Sequence, residues 1–276
     1  MLWLFILVQL STAQPADQRI CNKTFSFAFE HKLYEKFTGD VVISIGKEFL
    51  CSPYEPNTLD QADTECLVIN LHSFDCVTFV ENVLALSRCV KENRLSYEAF
   101  QSELQSIRYR EGIANGYASR LHYFTDWIYD NEQKGIVKNI TKELGGIVYK
   151  KKANFMTTHR GNYPHLTDDS AFSVMKSVED SLSHRSFYYI PKEQIKIIES
   201  KIKNGDIIAI TTNKEGLDII HTGIAVRMDD GSLHYMHAPN VKGVVKITKE
   251  TLWMHLKKIP SQTGIIVARP VQIKNK

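Results

Sequence analysis

The stretch Asp218-Ile219-Ile220-His221-Thr222-Gly223-Ile224-Ala225-Val226 reads as a β-strand, and the way its residues alternate decides the fold. Successive side chains of a strand point to opposite faces. Ile220, Ile224 and Val226 therefore share one face, and His221, Gly223 and Ala225 the other. The histidine face is stripped to small residues, which leaves room for a helix end or a substrate to approach the ring. Just downstream, Asp229-Asp230-Gly231 has the form of a three-residue hairpin loop with glycine at the left-handed position. Such a loop pairs Met228 with Ser232, and counting outward sets Gly223 opposite His237. His237 then stands on the same face as His221 and is its diagonal neighbour, about 7–8 Å away between α-carbons.

Further strands are expected at Ile207 to Thr212, following Asn204-Gly205-Asp206, then at Val244 to Thr248 and Gly264 to Arg269, with a short helix from Lys249. Upstream the pattern is helical. Cys76 to Val90 is apolar on most sides and lacks Gly and Pro, which predicts a buried helix. Ser96 opens an amphipathic one through Phe100, Leu104 and Ile107, and a third is expected from Arg120 to about Glu132. Gly145 to Pro164 shows no periodicity and reads as a long surface loop. Helices first and strands later predict an α+β fold, with extra helices and a helix packed on an antiparallel sheet. No repeat or linker divides the chain, so residues 14–276 are read as one domain.

With 276 residues and 43% apolar content the chain can bury a full core. Its net charge of +3 is small, and its lysines are scattered without a basic stripe, which argues against nucleic acid as a partner. Met1 to Leu10 is nearly all apolar and leads into Ser11-Thr12-Ala13-Gln14, the pattern of an export leader cut after Ala13. That run is too short for a bilayer core, which needs about 20 residues, so stable membrane insertion is not expected. A periplasmic or secreted monomer is.

Export would place Cys21, Cys51, Cys66, Cys76 and Cys89 where thiols tend to pair. Cys76 and Cys89 share one predicted helix and sit about 20 Å apart at 1.5 Å per residue, so they cannot bridge each other. No disulfide is assigned. His234 and His237 face opposite ways on their strand, and no cysteine or histidine spacing suits a metal.

Chemistry points to Phe74-Asp75-Cys76-Val77-Thr78-Phe79-Val80-Glu81, which sets a cysteine on the first turn of the buried helix with Asp75 at the cap. Helix amides and the macrodipole are expected to draw the thiol below its free value of about 8.5, with Asp75 opposing unless it is engaged in capping. Cys76 as nucleophile, His221 as base and His237 as the residue that orients the base complete a catalytic set.

The order of these segments resembles the NlpC-type branch of papain-like cysteine peptidases, and more closely the N-acetylmuramoyl-L-alanine amidase-like family. The matching stretches are Phe74 to Glu81, Tyr109-Arg110-Glu111-Gly112, Arg120 to Trp127, Asn154-Phe155-Met156, Gly205-Asp206-Ile207 and Gly216 to Val226. The resemblance implies a papain-like fold and hydrolysis of the amide between N-acetylmuramic acid, or its anhydro form, and L-alanine in muropeptides. It carries the nucleophile to Cys76, the base to His221 and the third polar residue to His237, and it needs no cofactor. Arg120, His122, Tyr123 and Trp127, with Asp75, are candidates for holding substrate, the competing reading of the first four being that they lock a helix against the sheet. Related enzymes cut after D-glutamate in the stem peptide and use an aspartate at the position of Asp75 to hold a free amine. That endopeptidase activity, acyl transfer to an amine and a noncatalytic muropeptide-binding module are the rival readings.

Overall fold

The computed structural model describes residues 15–240 and 243–273. The expected leader, residues 1–13, lies outside the described residues. Helices come first: α1 (Pro15–Glu30), α2 (Thr38–Glu48), α3 (Cys76–Lys91), α4 (Tyr97–Arg108) and α5 (Phe124–Gln133). Then follow β1 (Val137–Asn139), β2 (Ile147–Tyr149), α6 (Phe155–Thr158), α7 (Asp169–Ser183), β3 (Phe187–Pro191) and α8 (Ile195–Ile198). The remainder is β4 (Ile207–Thr212), β5 (Ile219–Arg227), β6 (Leu233–His237), β7 (Lys246–Ile247), α9 (Leu252–Lys257) and β8 (Gln262–Pro270). The strands run in the order β2-β3-β8-β4-β5-β6-β7, with β1 also on β8, and every pairing is antiparallel. This is an α+β arrangement, and no helix among the described residues is long and apolar enough to cross a membrane.

Two cores cover the two sheet faces. Ile207, Ala209, Ile224, Val226, Met236 and Ile266 meet the N-terminal helices, while Ile208, Ile210, Ala225, Tyr235 and Val267 meet the α8 and α9 side. Period-two alternation along each strand separates the two sets. The site is positioned mainly by α3. Asp75 Oδ1 accepts the amides of Val77 and Thr78 at 2.9 and 2.7 Å, and the Asp75 amide donates back to Thr78 Oγ1 at 2.9 Å. This capping box starts the helix at Cys76 and satisfies the Val77 and Thr78 amides of the turn that carries the thiol. Further along α3, Glu81 takes a buried hydrogen bond from Arg108 of α4 at 2.7 Å, which fixes the helix against its neighbour.

Three expectations are corrected. The helix expected from Arg120 begins at Phe124, and residues 120 and 123 are extended. Asp218, at the foot of β5, accepts both the amide and the hydroxyl of Thr125 at 2.8 Å, so the first turn of α5 is capped from across the chain. The stretch from Gly145 to Pro164 is no plain loop. It holds β2 and α6, because β2 pairs with β3, a partner some 40 residues away that local periodicity does not reveal. Finally, Ile220 does not share the face of Ile224. The β4–β5 register jumps from Ile210↔His221 to Thr211↔Ile219, so Ile220 is the extra residue of a bulge and is 38% exposed. Ile219 takes the helix-facing place instead.

Candidate active site

The hairpin has the register read from the sequence. Met228 N donates to Ser232 O, and the β5–β6 ladder runs Arg227↔Leu233 to Ile224↔Met236, which continues to Gly223 opposite His237. His221 and His237 therefore lie on one face, and their side chains close the gap: His221 Nε2 is 2.8 Å from His237 Nδ1, with the rings perpendicular. His237 is only 4% exposed. Cys76 comes from the other layer. Its sulfur faces the backbone amide of Thr222, the residue next to His221, and the amides of Cys76 itself and Val77. The N-terminus of α3 thus meets β5 at Thr222, one residue from His221, so the three residues singled out in the sequence lie on adjoining segments.

Electrostatics here run against the expectation of an acidified thiol. Burial pushes Cys76 up to about 12, with the Asp75 carboxylate adding to the effect, and the three amides only partly oppose it. Burial likewise lowers His221 to about 4, aided by His255, and burial with the neighbouring His221, His255 and Lys246 lowers His237 to about 2. These directions favour a neutral thiol and neutral imidazoles in the resting site. Desolvation outweighs the helix end because the Cys76 sulfur is packed against β5 at the start of α3, while the two rings sit among Tyr235 and His255 on the α9 side of the sheet.

The small residues on the histidine face serve a different purpose from the one expected. A methyl group at Gly223 would meet the Tyr235 ring at 2.6 Å, so the space over Gly223 belongs to Tyr235 and not to a helix end or substrate. Tyr235 is fully buried, its ring lies 4.6 Å from that of His237, and its hydroxyl has no partner among the described residues. Alternation from His237 identifies Tyr235 as a same-face neighbour. The sequence reading overlooked it, and also His255 and Thr222, whose approach depends on how α9 and α3 pack.

The proposed substrate contacts are engaged within the fold. Trp127 is 0% exposed and stacks on Phe124 at 4.8 Å within the helix-side core, so its assignment as a substrate contact is corrected to a packing role. Tyr123 is also buried: it donates to Glu179 at 2.6 Å and accepts the Met156 amide at 3.0 Å, so its one proton is committed within the fold. Arg120 is 6% exposed, pairs with Asp60 and lies 3.6 Å from Glu65, with Tyr117 against its guanidinium. The His122 ring lies tilted against that of Tyr117 at 4.3 Å and bonds the Tyr117 carbonyl at 2.8 Å, and burial holds it well below the ordinary imidazole value. Asp75 is committed to the helix cap. Asn204-Gly205-Asp206 is structural as well: Asp206 receives Arg269 in a two-pronged pair at 2.7 Å, and Gly205, at φ +79°, touches the backbone of Gly39. No cluster of metal-ligating side chains occurs among the described residues.

A half-buried cysteine on a helix end, next to a strand that carries one of two hydrogen-bonded histidines, defines the class of fold and site. By sequence the chain belongs to the N-acetylmuramoyl-L-alanine amidase-like family, whose model matches residues 44–265. An N-acetylmuramoyl-L-alanine amidase from Bacteroides uniformis ATCC 8492 superposes with a TM-score of 0.80 at 38% identity, covering 84% of this chain and 98% of its own. A Bacteroides fragilis protein described as a xylanase is similar at 39% identity and a TM-score of 0.76, over 81% of this chain and 98% of its own. A Legionella pneumophila protein shares the fold at 22% identity with a TM-score of 0.70, over 95% and 96%. No curated protein matches the chain.

Proposed function

We propose that this protein is a cysteine amidase of papain-like, NlpC-type architecture. It would hydrolyse the amide joining the lactyl group of N-acetylmuramic acid, or its anhydro form, to L-alanine in peptidoglycan fragments. The observation that carries the reading is the 2.8 Å His221–His237 bond on the strand whose Thr222 amide faces the Cys76 sulfur. Because the resting site is neutral, the proton must leave Cys76 as its sulfur attacks. His221 takes that proton while its other nitrogen donates to His237. The sulfur bonds to the lactyl carbonyl carbon, and the oxyanion is met by backbone amides of the α3 turn. The Val77 and Thr78 amides already serve Asp75, so the Cys76 amide is the natural donor. The carbon–nitrogen bond then breaks, His221 returns the proton to the amine of L-alanine, and water releases the muramoyl thioester. Such a substrate lies outside the cytoplasm, in keeping with the leader read at residues 1–13.

The endopeptidase rival requires an Asp75 free to hold a peptide amine, and the cap weighs against it. A glycosidase mechanism needs a carboxylate pair across the scissile bond, whereas the groups converging here are a thiol and imidazoles. The test is mass spectrometry of a purified anhydro-muropeptide incubated with wild type and with Cys76→Ala. Release of the intact stem peptide by wild type alone is expected. A sugar-linked dipeptide would establish the endopeptidase instead, and no turnover by wild type would leave a binding module.

A further inference from the structure

One atom of the histidine pair lacks a partner. His237 Nε2 is buried and makes no hydrogen bond among the described residues, although buried polar atoms are nearly always paired. The ring of His255 of α9 lies beside that of His237, at a centroid separation of 5.6 Å and an angle of 74°. The bonded pair supplies a scale: His221 and His237, joined at 2.8 Å, have centroids 5.0 Å apart at 90°. His237 and His255 have a similar crossed arrangement, slightly wider, and the His255 side chain is partly exposed. On its far side His255 Nδ1 lies 3.7 Å from Glu250 Oε1, which Lys258 also reaches at 2.9 Å. The Tyr235 ring borders both imidazoles, at 4.6 and 5.9 Å.

We propose that His255 is a positioning residue that accepts a hydrogen bond from His237 Nε2 and, with Glu250 behind it, fixes the tautomers of the whole histidine row. The identity of the reaction rests on the amidase reading above, while the order of hydrogen bonds rests on geometry. The protons can be placed in only one way. For His221 to take the thiol proton on Nδ1 it must carry its own on Nε2 and donate to His237 Nδ1. His237 must then carry its proton on Nε2 and needs an acceptor there. A neutral His255 with its proton on Nδ1, toward Glu250, offers Nε2 as that acceptor. When Cys76 gives its proton to His221, the new positive charge faces a row of aligned dipoles that ends on a carboxylate.

Protonated His255 has no lone pair to offer, so its charge state governs the row. The groups that face it are His221 and His237 from β5 and β6, Tyr235 from β6, Lys246 from β7, and Glu250 and Lys258 beside its own helix. Burial holds His255 below the ordinary imidazole value, Glu250 opposing and the two lysines assisting.

Ring-nitrogen shifts of the full-length, 15N-labelled protein read the tautomers without turnover. Wild type is expected to carry the His237 proton on Nε2. In His255→Phe the His237 signals should average between tautomers, while His255→Gln, whose side-chain oxygen accepts, keeps the wild-type pattern. Kinetically, His255→Phe should lose about tenfold in kcat at unchanged KM, and His255→Gln recover most of it. A wild-type His237 protonated on Nδ1, wild-type tautomers and rate in His255→Phe, or equal losses in both variants would each overturn the role. Inactivity of wild type on muropeptide would defeat the amidase reading alone, since the tautomer measurement does not depend on it.

Discussion

The carboxylate of Asp75 and the amide of Thr78 are joined at 2.7 Å, so the acid next to the nucleophile is spent on the helix that carries it. The same carboxylate raises the Cys76 thiol. Substitutions at this position therefore separate two effects. Asp75→Ala removes the cap and should cost about 1 kcal/mol of stability, read by chemical denaturation. Asp75→Asn keeps a good capping side chain and removes the charge, so iodoacetamide should alkylate Cys76 faster than in wild type at pH 8. An unchanged alkylation rate would show that the charge does not reach the sulfur.

The neutral resting pair makes a spectroscopic prediction. With Cys76 near 12 and His221 near 4, thiolate absorbance at 240 nm should show no step from Cys76 between pH 5 and 9, against a Cys76→Ala control. A step in that window that disappears in the variant would restore the acidified thiol of an ion pair.

Stability should also depend on pH with a definite sign. His221 is lowered from 6.5 to about 4 in the folded state, so between these values the unfolded chain binds the extra proton. Stability contributed by the neutral ring is present above about pH 6.5 and is lost as pH falls toward 4. His237 and His122, lowered in the same direction, act alike. Thermal melts at pH 7 and pH 4.5 should show a lower midpoint at the acid pH, and a smaller difference in His221→Asn. An equal difference in both proteins would contradict the assignment.

Arg120 offers a test of packing against recognition. It pairs with Asp60 and approaches the buried Glu65, so Arg120→Met should destabilise the fold by about 3–5 kcal/mol through the carboxylate left without its cation. At a temperature where the variant stays folded, KM for muropeptide should be near that of wild type. A large rise in KM with little change in melting would return Arg120 to the substrate.

Gly223 and Tyr235 are coupled by contact. Gly223→Ala would drive a methyl group into the Tyr235 ring and to 2.5 Å from the Met236 carbonyl, and should cost about 1–3 kcal/mol. Turnover should fall further than stability explains, since the displaced ring borders His237. Double substitution to Gly223→Ala with Tyr235→Phe tests whether shape alone is at issue: the hydroxyl is unpartnered, so Phe should not relieve the clash.

The parts of the fold legible in the sequence were those governed by local spacing. Asp229-Asp230-Gly231 set the register of the hairpin, which put His237 beside His221, and Asp75 and Ser96 marked the starts of α3 and α4. What escaped was fixed by partners distant in the chain. β2 exists because β3 lies alongside it, α5 starts at Phe124 because Asp218 caps it, and Ile220 faces outward because β4 pairs across a bulge. The same division holds within the site. Strand alternation carries the pairing of the histidines, but the packing that raises the thiol comes from helix and sheet closing on each other, as does the approach of His255. Tyr123 and Trp127 misled because aromatic side chains suited to a sugar are equally suited to a core.

The bulge at Ile220 makes the distance between Asp218 and His221 a ruler of fixed length. At one end Asp218 grips α5, and at the other His221 faces the opposite side of the sheet from Ile219. Deleting Ile220 would hardly alter the composition of the strand or its appetite for burial. Yet it would force a choice between releasing α5 and turning the imidazole toward the wrong layer, so a conservative-looking loss of one isoleucine is a change of frame.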